Sequence, residues 1–238
     1  MVKTNSFTLA TYQKGDPISS KLALVLPGKL DTKDYAHMRS HVDFLSNLGF
    51  LALSFDPPGT WESPGDISLY TTTNYLKAID ELIKHFGNKP TFIMGHSRGA
   101  SISMMGASRN SKIMAYAAVM PAISRESITS KFANVSFRDL PPGGGEKVKK
   151  FELPESFHED EMNYRLTDDL LKYNKPKLII AGAHDQIIPP NKIRKMFDSL
   201  SDPKQFTLIH WDHNYRHSSE KIEEVNQLLK NFLQKYWK

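Results

Sequence analysis

The chain reads as one α/β domain, a mostly parallel central sheet flanked by helices. Three observations predict it. Short apolar runs alternate with stretches of helical periodicity along most of the sequence, which is the pattern of strand–helix–strand units. The runs are apolar rather than alternating with polar residues, as expected of strands covered on both faces. At 238 residues, 39% hydrophobic and 24% charged, the chain is long enough to bury a sizeable core within one domain, 1–238.

The elements follow in order. Phe7–Tyr12 is expected as an antiparallel strand at the sheet edge. Leu22–Leu26, an unbroken apolar run, is the first core strand, and Lys33–Leu48 is the helix after it. Phe50–Phe55 is the next strand, and Thr72–Phe86 the helix leading to the strand Thr91–Met94. Ala100–Arg109 is a helix of small residues, followed by the strand Ala115–Met120. After a long interruption come the strand Lys177–Ala181, the helix Asn191–Leu200, the strand Phe206–His210 and the C-terminal helix Ser219–Tyr236.

The interruption spans about residues 122–175 and is polar and irregular. The turn Pro141-Pro142-Gly143-Gly144-Gly145 lies between Val135–Leu140 and Lys147–Leu153, which can pair as a hairpin, and a helical segment, Glu159–Tyr173, follows. Insertions of this length inside a domain usually serve as lids or binding loops. The plain alternative is a surface excursion without a role.

Composition excludes several function classes. Lys and Arg number 31 against 26 acids, a net charge of +5, but they are spread along the chain and interleaved with acids. A nucleic-acid reader would cluster them, so no nucleic-acid partner is expected. There is no cysteine, which excludes disulfides and thiolate metal sites. No histidine or carboxylate spacing suggests a metal site, and no cofactor is expected. The N-terminal residues carry no apolar signal core and no stretch approaches membrane-spanning length. A cytoplasmic protein without a membrane partner is therefore expected; the oligomeric state stays open, a homodimer included.

The most informative motif is Gly95-His96-Ser97-Arg98-Gly99, set between an apolar strand and a helix. A G-x-S-x-G at a strand-to-helix turn is a nucleophile elbow. The turn strains the serine backbone and needs glycines two residues to either side. It presents the hydroxyl at a helix N-terminus, where backbone N–H groups favour developing negative charge. His96 reads as a packed residue supporting the turn.

A serine nucleophile needs a base, and the base an acid to hold its tautomer. With the chain order Ser, Asp, His, the acid falls after a late strand. Asp185, in Gly182-Ala183-His184-Asp185-Gln186-Ile187-Ile188-Pro189, meets that condition. The last strand runs into His210-Trp211-Asp212-His213-Asn214-Tyr215-Arg216-His217, where three histidines compete. His213, in mid-loop, is best placed to reach both Asp185 and Ser97; His210 and His217 are the alternatives. Asp212 reads as a turn-forming residue.

Two N–H donors are expected for an oxyanion. One is Arg98, the residue after the nucleophile. The other is Lys29, in the loop Leu26-Pro27-Gly28-Lys29-Leu30, where Gly28 permits close approach. The side chains of both are as well explained by solvation or structure as by catalysis. Asp56, in the Pro/Gly-rich segment Asp56 to Gly65, reads as a turn cap.

On these landmarks, in this order, the chain resembles the α/β-hydrolase superfamily from Leu22 to the C-terminal helix, which implies an α/β-hydrolase fold with a lid insertion. Within it the chain is most similar to small lid-bearing esterases, the cinnamoyl/feruloyl esterases and the serine-aminopeptidase-like hydrolases. It departs from them in having Pro27-Gly28 where the oxyanion loop commonly has His-Gly, and in lacking the second glycine of R-G-x-G-x-S after Asp56. The resemblance implies a Ser97–Asp185–His213 triad acting on a small-molecule ester. Lid aromatics Phe132, Phe137, Phe151, Phe157 and Tyr164 are expected either to line an acyl pocket or to pack lid on body. A peptidase or amidase, with Glu155, Glu159 or Glu161 holding a substrate amine, a thioesterase, and a non-catalytic binding protein are the rival readings.

Overall fold

The computed structural model, which describes residues 1–123, 134–145, 147–166, 170 and 173–237, is built on a seven-stranded sheet. In sequence order its strands are β1 (Thr11–Lys14), β2 (Leu22–Leu26), β3 (Leu51–Phe55), β4 (Thr91–His96), β5 (Ile113–Val119), β6 (Lys177–Gly182) and β7 (Lys204–Ile209). Their spatial order is β7-β6-β5-β4-β2-β3-β1; every neighbouring pair is parallel except β1 with β3. The apolar runs have the predicted cause: all residues of β2, β3, β4 and β6 are buried, because helices cover both faces.

On one face lie α1 (Ala36–Asn47) and α6 (Ser219–Tyr236), burying Met38, Val42 and Leu45 with Val225, Leu229 and Phe232. On the other lie α2 (Thr72–His85), α3 (Arg98–Arg109) and α5 (Pro190–Asp198), burying Tyr75, Ile79, Leu82, Ile102, Met104 and Ile193. In α1, α2 and α6 these positions recur three or four residues apart, so each presents one apolar stripe, whereas α3 is buried along nearly its whole length. The chain leaves β2 toward one sheet edge and leaves β4 toward the other. The crevice beyond their C-terminal ends is a topological switch point, where ligands bind in open sheets. Ser97 and Lys29 both lie there.

Several boundaries differ from the sequence reading. The edge strand is Thr11–Lys14 rather than Phe7–Tyr12; Thr8–Leu9 instead pairs with Val2–Lys3. α1 begins at Ala36, not Lys33, because the Thr32 hydroxyl (2.7 Å) and the Lys33 N–H (2.9 Å) both donate to Asp56 Oδ1 and hold that turn out of the helix. The hairpin is present as Val135–Asp139 antiparallel to Val148–Glu152. The helix expected at Glu159–Tyr173 is α4, Glu155–Met162, opened by Pro154, whose fixed φ suits a helix start. Part of the expected segment, 167–169 and 171–172, lies outside the described residues, as do residues 124–133 of the insertion. No described helix is long and apolar enough to cross a membrane.

The insertion is docked on the body by an apolar cluster of its own. Phe151, Leu153 and Phe157 pack with Leu30 of the loop after β2 and with Tyr70, whose ring stacks on Phe157 at 5.5 Å between centroids.

Candidate active site

Ser97 sits at φ 52°, a left-handed conformation rare for a residue with a side chain, between β4 and the first turn of α3. The glycines of the pentapeptide explain how the turn closes. A Cβ on Gly95 would stand 2.3 Å from the carbonyl carbon of Gly99, and one on Gly99 would stand 2.3 Å from the Leu26 carbonyl oxygen. Only bare backbone fits where strand, helix and the loop after β2 cross.

Asp185 follows β6. Its Oδ1 accepts from the N–H groups of Ile187 (2.9 Å) and Ile188 (2.8 Å), so the loop itself fixes the carboxylate. The other oxygen lies 2.8 Å from His213 Nδ1, and His213 Nε2 lies 3.0 Å from Ser97 Oγ. A carboxylate only accepts, so Nδ1 carries the proton and Nε2 offers its lone pair to the serine hydroxyl. Gly182 lets the two loops meet, since a Cβ there would lie 2.8 Å from the Trp211 carbonyl oxygen. The structure thus joins Ser97, Asp185 and His213. The competing histidines are elsewhere: His210 is exposed beside the ring of His184, and exposed His217 accepts from Arg216 Nε. Asp212 accepts from the Asn214 N–H within its own turn.

Behind His213 is a wall of buried rings. His96 Nε2 donates to the His213 carbonyl at 3.0 Å, and its ring packs 5.5 Å from His37 and 5.1 Å from Tyr215. His41 bridges Asn226 Oδ1 (2.7 Å) and the Tyr215 hydroxyl (2.9 Å). Burial holds His37 and His96 well below the ordinary histidine range and pushes His41 down to about 4, so all three are neutral near pH 7. The sequence signal for half of this wall is the spacing of His37 and His41, four residues apart on one face of α1.

On the other side of the elbow, the Arg98 side chain is buried. Its guanidinium pairs with Glu161 of α4, donates to Thr72 Oγ1 at 3.1 Å, and lies 5.1 and 5.0 Å from the ring centroids of Tyr70 and Phe157. Glu161 is also the acceptor for the Thr72 hydroxyl. It is therefore committed to protein partners, which corrects the expectation that it could hold a substrate amine; Glu155 and Glu159 are exposed. Of the aromatics, Phe151 and Phe157 are buried in the docking cluster and Phe137 is exposed. Tyr164 bonds the Thr73 hydroxyl, and Phe132 lies outside the described residues. The backbone N–H groups of Lys29 and Arg98 donate to no acceptor among the described residues, Arg98 being the first residue of its helix.

Asp56, buried, accepts from Thr32, Lys33 and Glu62 and lies 3.3 Å from Lys33 Nζ; burial raises its pKa. It ties the loop after β2 to the loop after β3. Among the described residues, one grouping with metal-ligand chemistry occurs that sequence spacing does not suggest: donor atoms of Asp31, His37 and His96 all lie within 4.8 Å of one another. Asp31 is already ion-paired with Arg216 (2.7 Å) and Arg138 (3.6 Å), so a cation there would meet two guanidiniums. A cavity of about 510 Å³ beside the hairpin tip is lined by Tyr35, Arg216, His217 and Gly143, and not by Ser97 or Asp185.

Comparison with known proteins adds the following. Residues 24–153 match a family described as alpha/beta hydrolase fold. A lysophosphatidylserine lipase of Xenopus tropicalis is 26% identical over 94% of this chain, which spans only 60% of that protein's length. A monoglyceride lipase homolog of monkeypox virus is 25% identical over 84% of this chain and 73% of its own. Among solved structures, Est1E from Butyrivibrio proteoclasticus with bound ferulic acid superposes with a TM-score of 0.79 at 19% identity, covering 98% of this chain and 97% of that one. A monoacylglycerol lipase of Paleococcus ferrophilus gives 0.74 at 22% identity, covering 95% and 98%.

Proposed function

The chain belongs to the α/β-hydrolase fold family, and we propose that within it the protein is a serine esterase in which Ser97, His213 and Asp185 act as a catalytic triad. One observation carries the reading: the unbroken relay from Asp185 Oδ2 through both nitrogens of His213 to Ser97 Oγ, at 2.8 and 3.0 Å, with the serine held at the strained elbow. The lipases and esterases among the similar proteins agree with it.

The chemistry follows from the tautomer. Ser97 Oγ attacks the acyl carbonyl while His213 Nε2 takes its proton. Asp185 holds the imidazole and stabilises its charged form. The oxyanion is met by the N–H groups of Lys29 and Arg98, preorganised by Gly28 and by the start of α3. As the tetrahedral intermediate collapses, His213 gives the proton to the leaving alcohol, and water then attacks the acyl-enzyme by the same route in reverse. No cofactor enters this scheme. We read residues 122–175 as a lid on a single domain, because α4 and the hairpin bring Phe151 and Phe157 onto Leu30 of the oxyanion loop. The peptidase reading is weaker, since Glu161 is engaged by Arg98 and Thr72.

Ser97→Ala is expected to lower turnover of short 4-nitrophenyl esters by at least about 10³-fold and to abolish labelling by a fluorophosphonate probe. Undiminished turnover in that variant refutes the assignment.

A further inference from the structure

The loop that supplies the first oxyanion donor also places a cation beside the site. Lys29 follows Gly28 directly, and its side chain is half-buried, with Nζ 5.6 Å from the ring centroid of Phe157. Among the described residues it has no carboxylate partner. The carboxylate nearest in effect, Glu161, is already bound by Arg98 and Thr72. Among the described residues, the other charged groups that act on it are cations. Arg98 lies against the same Phe157 ring, and Arg138 of the hairpin donates through Nε to the Lys29 carbonyl at 2.9 Å. Asp31, the acid of the same loop, is held by Arg216 and Arg138.

A cation taken partly out of water without an opposite charge is costly, and proteins normally pair such groups. Here burial, Arg138 and Arg98 all act to lower the Lys29 pKa, with only Glu161 opposing them. The group lies one side-chain length from the backbone N–H that the esterase reading assigns to the oxyanion. It is therefore in reach of a substituent a few bonds from the scissile ester, and an anion there would supply the missing partner.

We propose that the substrate of this site is an ester bearing an anionic group, a carboxylate or a phosphate, that ion-pairs with Lys29 Nζ. The proposal rests on the esterase reading and narrows it to a substrate class. Lys29 acts twice: its N–H on the oxyanion, its ammonium on a remote charge that is present in both ground and transition state. Such a contact acts mainly on binding, hence on KM.

The test compares matched esters that differ only in the charge. The 4-nitrophenyl half-ester of adipate is set against its methyl-capped neutral counterpart, and a lysophosphatidate against the monoacylglycerol of the same chain. The first pair reads an acyl-side carboxylate, the second an alcohol-side phosphate. Wild type is expected to favour the anionic member of at least one pair by about ten-fold or more in kcat/KM, mostly through KM. Lys29→Met should bring that ratio close to one and Lys29→Arg should keep most of it. The ratio is the readout, because substitution at Lys29 also disturbs the oxyanion loop; fluorophosphonate labelling of Ser97 shows that each variant keeps its site. The preference should also fade as pH rises, at a pH below the ordinary lysine value of 10.5. Equal turnover of charged and neutral members in wild type, or a ratio that survives Lys29→Met, overturns the proposal and leaves the esterase reading intact. If the probe does not label Ser97 and no ester is cleaved, both fall; labelling without turnover of either pair overturns the substrate class alone.

Discussion

Behind His213 stand His37, His41, His96 and Tyr215, all buried, and burial depresses the pKa of each of the three histidines. Across the elbow from them, around the loop after β2, stand the ionic side chains of Lys29, Arg98, Arg138 and Glu161, with Lys29 and Arg98 both against the ring of Phe157. The first region is polar without charge. Its hydrogen bonds run to backbone, to each other or to Asn226, as His96 does to the His213 carbonyl, and they fix one geometry. The second carries full charges in a partly dry place. Its interactions join pieces far apart in sequence and, among the described residues, leave the Lys29 ammonium without a carboxylate. Neutral rings suit a part that must hold still; uncompensated charge suits a part that must choose a partner.

The ionic side is the more sensitive of the two to a single substitution. Glu161→Gln removes one member of a buried pair and leaves the Arg98 guanidinium between Tyr70 and Phe157 without its carboxylate. Losing one partner of such a pair typically costs about 3–5 kcal/mol, measurable as a lowered denaturation midpoint. The double change Arg98→Met with Glu161→Leu should recover most of that loss, since the pair as a whole adds little over apolar packing. If Glu161→Gln is silent, α4 is not anchored through this pair.

The neutral wall is probed by acid. A histidine whose native pKa lies below its unfolded value binds fewer protons folded than unfolded, so stability is lost as pH falls below about 6.5. For His41 the window runs from 6.5 down to about 4. Each of the three that stays neutral costs about 1.4 kcal/mol per pH unit in that window. Thermal denaturation between pH 7 and 5 should show the decline, and His41→Asn should flatten its slope. A pH-independent midpoint would mean that water already reaches these rings.

The two regions also differ in how far they could be read from the sequence. Ser97, Asp185 and His213 were legible because each sits in a local turn at the end of a strand and their order along the chain is fixed by the fold. His37 and His41 announce a shared face by spacing alone, but nothing local says that the face meets His96 and Tyr215. The Arg98–Glu161 pair was not legible, because it joins residues 63 positions apart through a helix whose start at Glu155 the polar composition of the insertion conceals. Asp56 was visible as a cap, yet not as the anchor that delays α1 to Ala36 by drawing in Thr32 and Lys33. Turns carry their chemistry in their own residues; contacts between distant segments depend on packing that short patterns do not encode.

The smallest effect sharpens the boundary of the wall. His217 lies four residues beyond His213, in the same loop, but is exposed, and among the described residues its ring accepts one hydrogen bond, from Arg216 at 3.3 Å. By its place in the sequence it rivals His213 as the base. His217→Ala should change stability by less than about 0.5 kcal/mol, as expected of an exposed side chain outside the core, and should leave most of the turnover of a neutral 4-nitrophenyl ester. His213→Ala, in the same assay, should abolish it. The contrast between two histidines four residues apart is a stricter check than either variant alone, because both changes remove an imidazole from one loop and only one of them breaks the relay to Ser97. A large loss at His217 would move the base out of the buried wall and undo the division between the two regions.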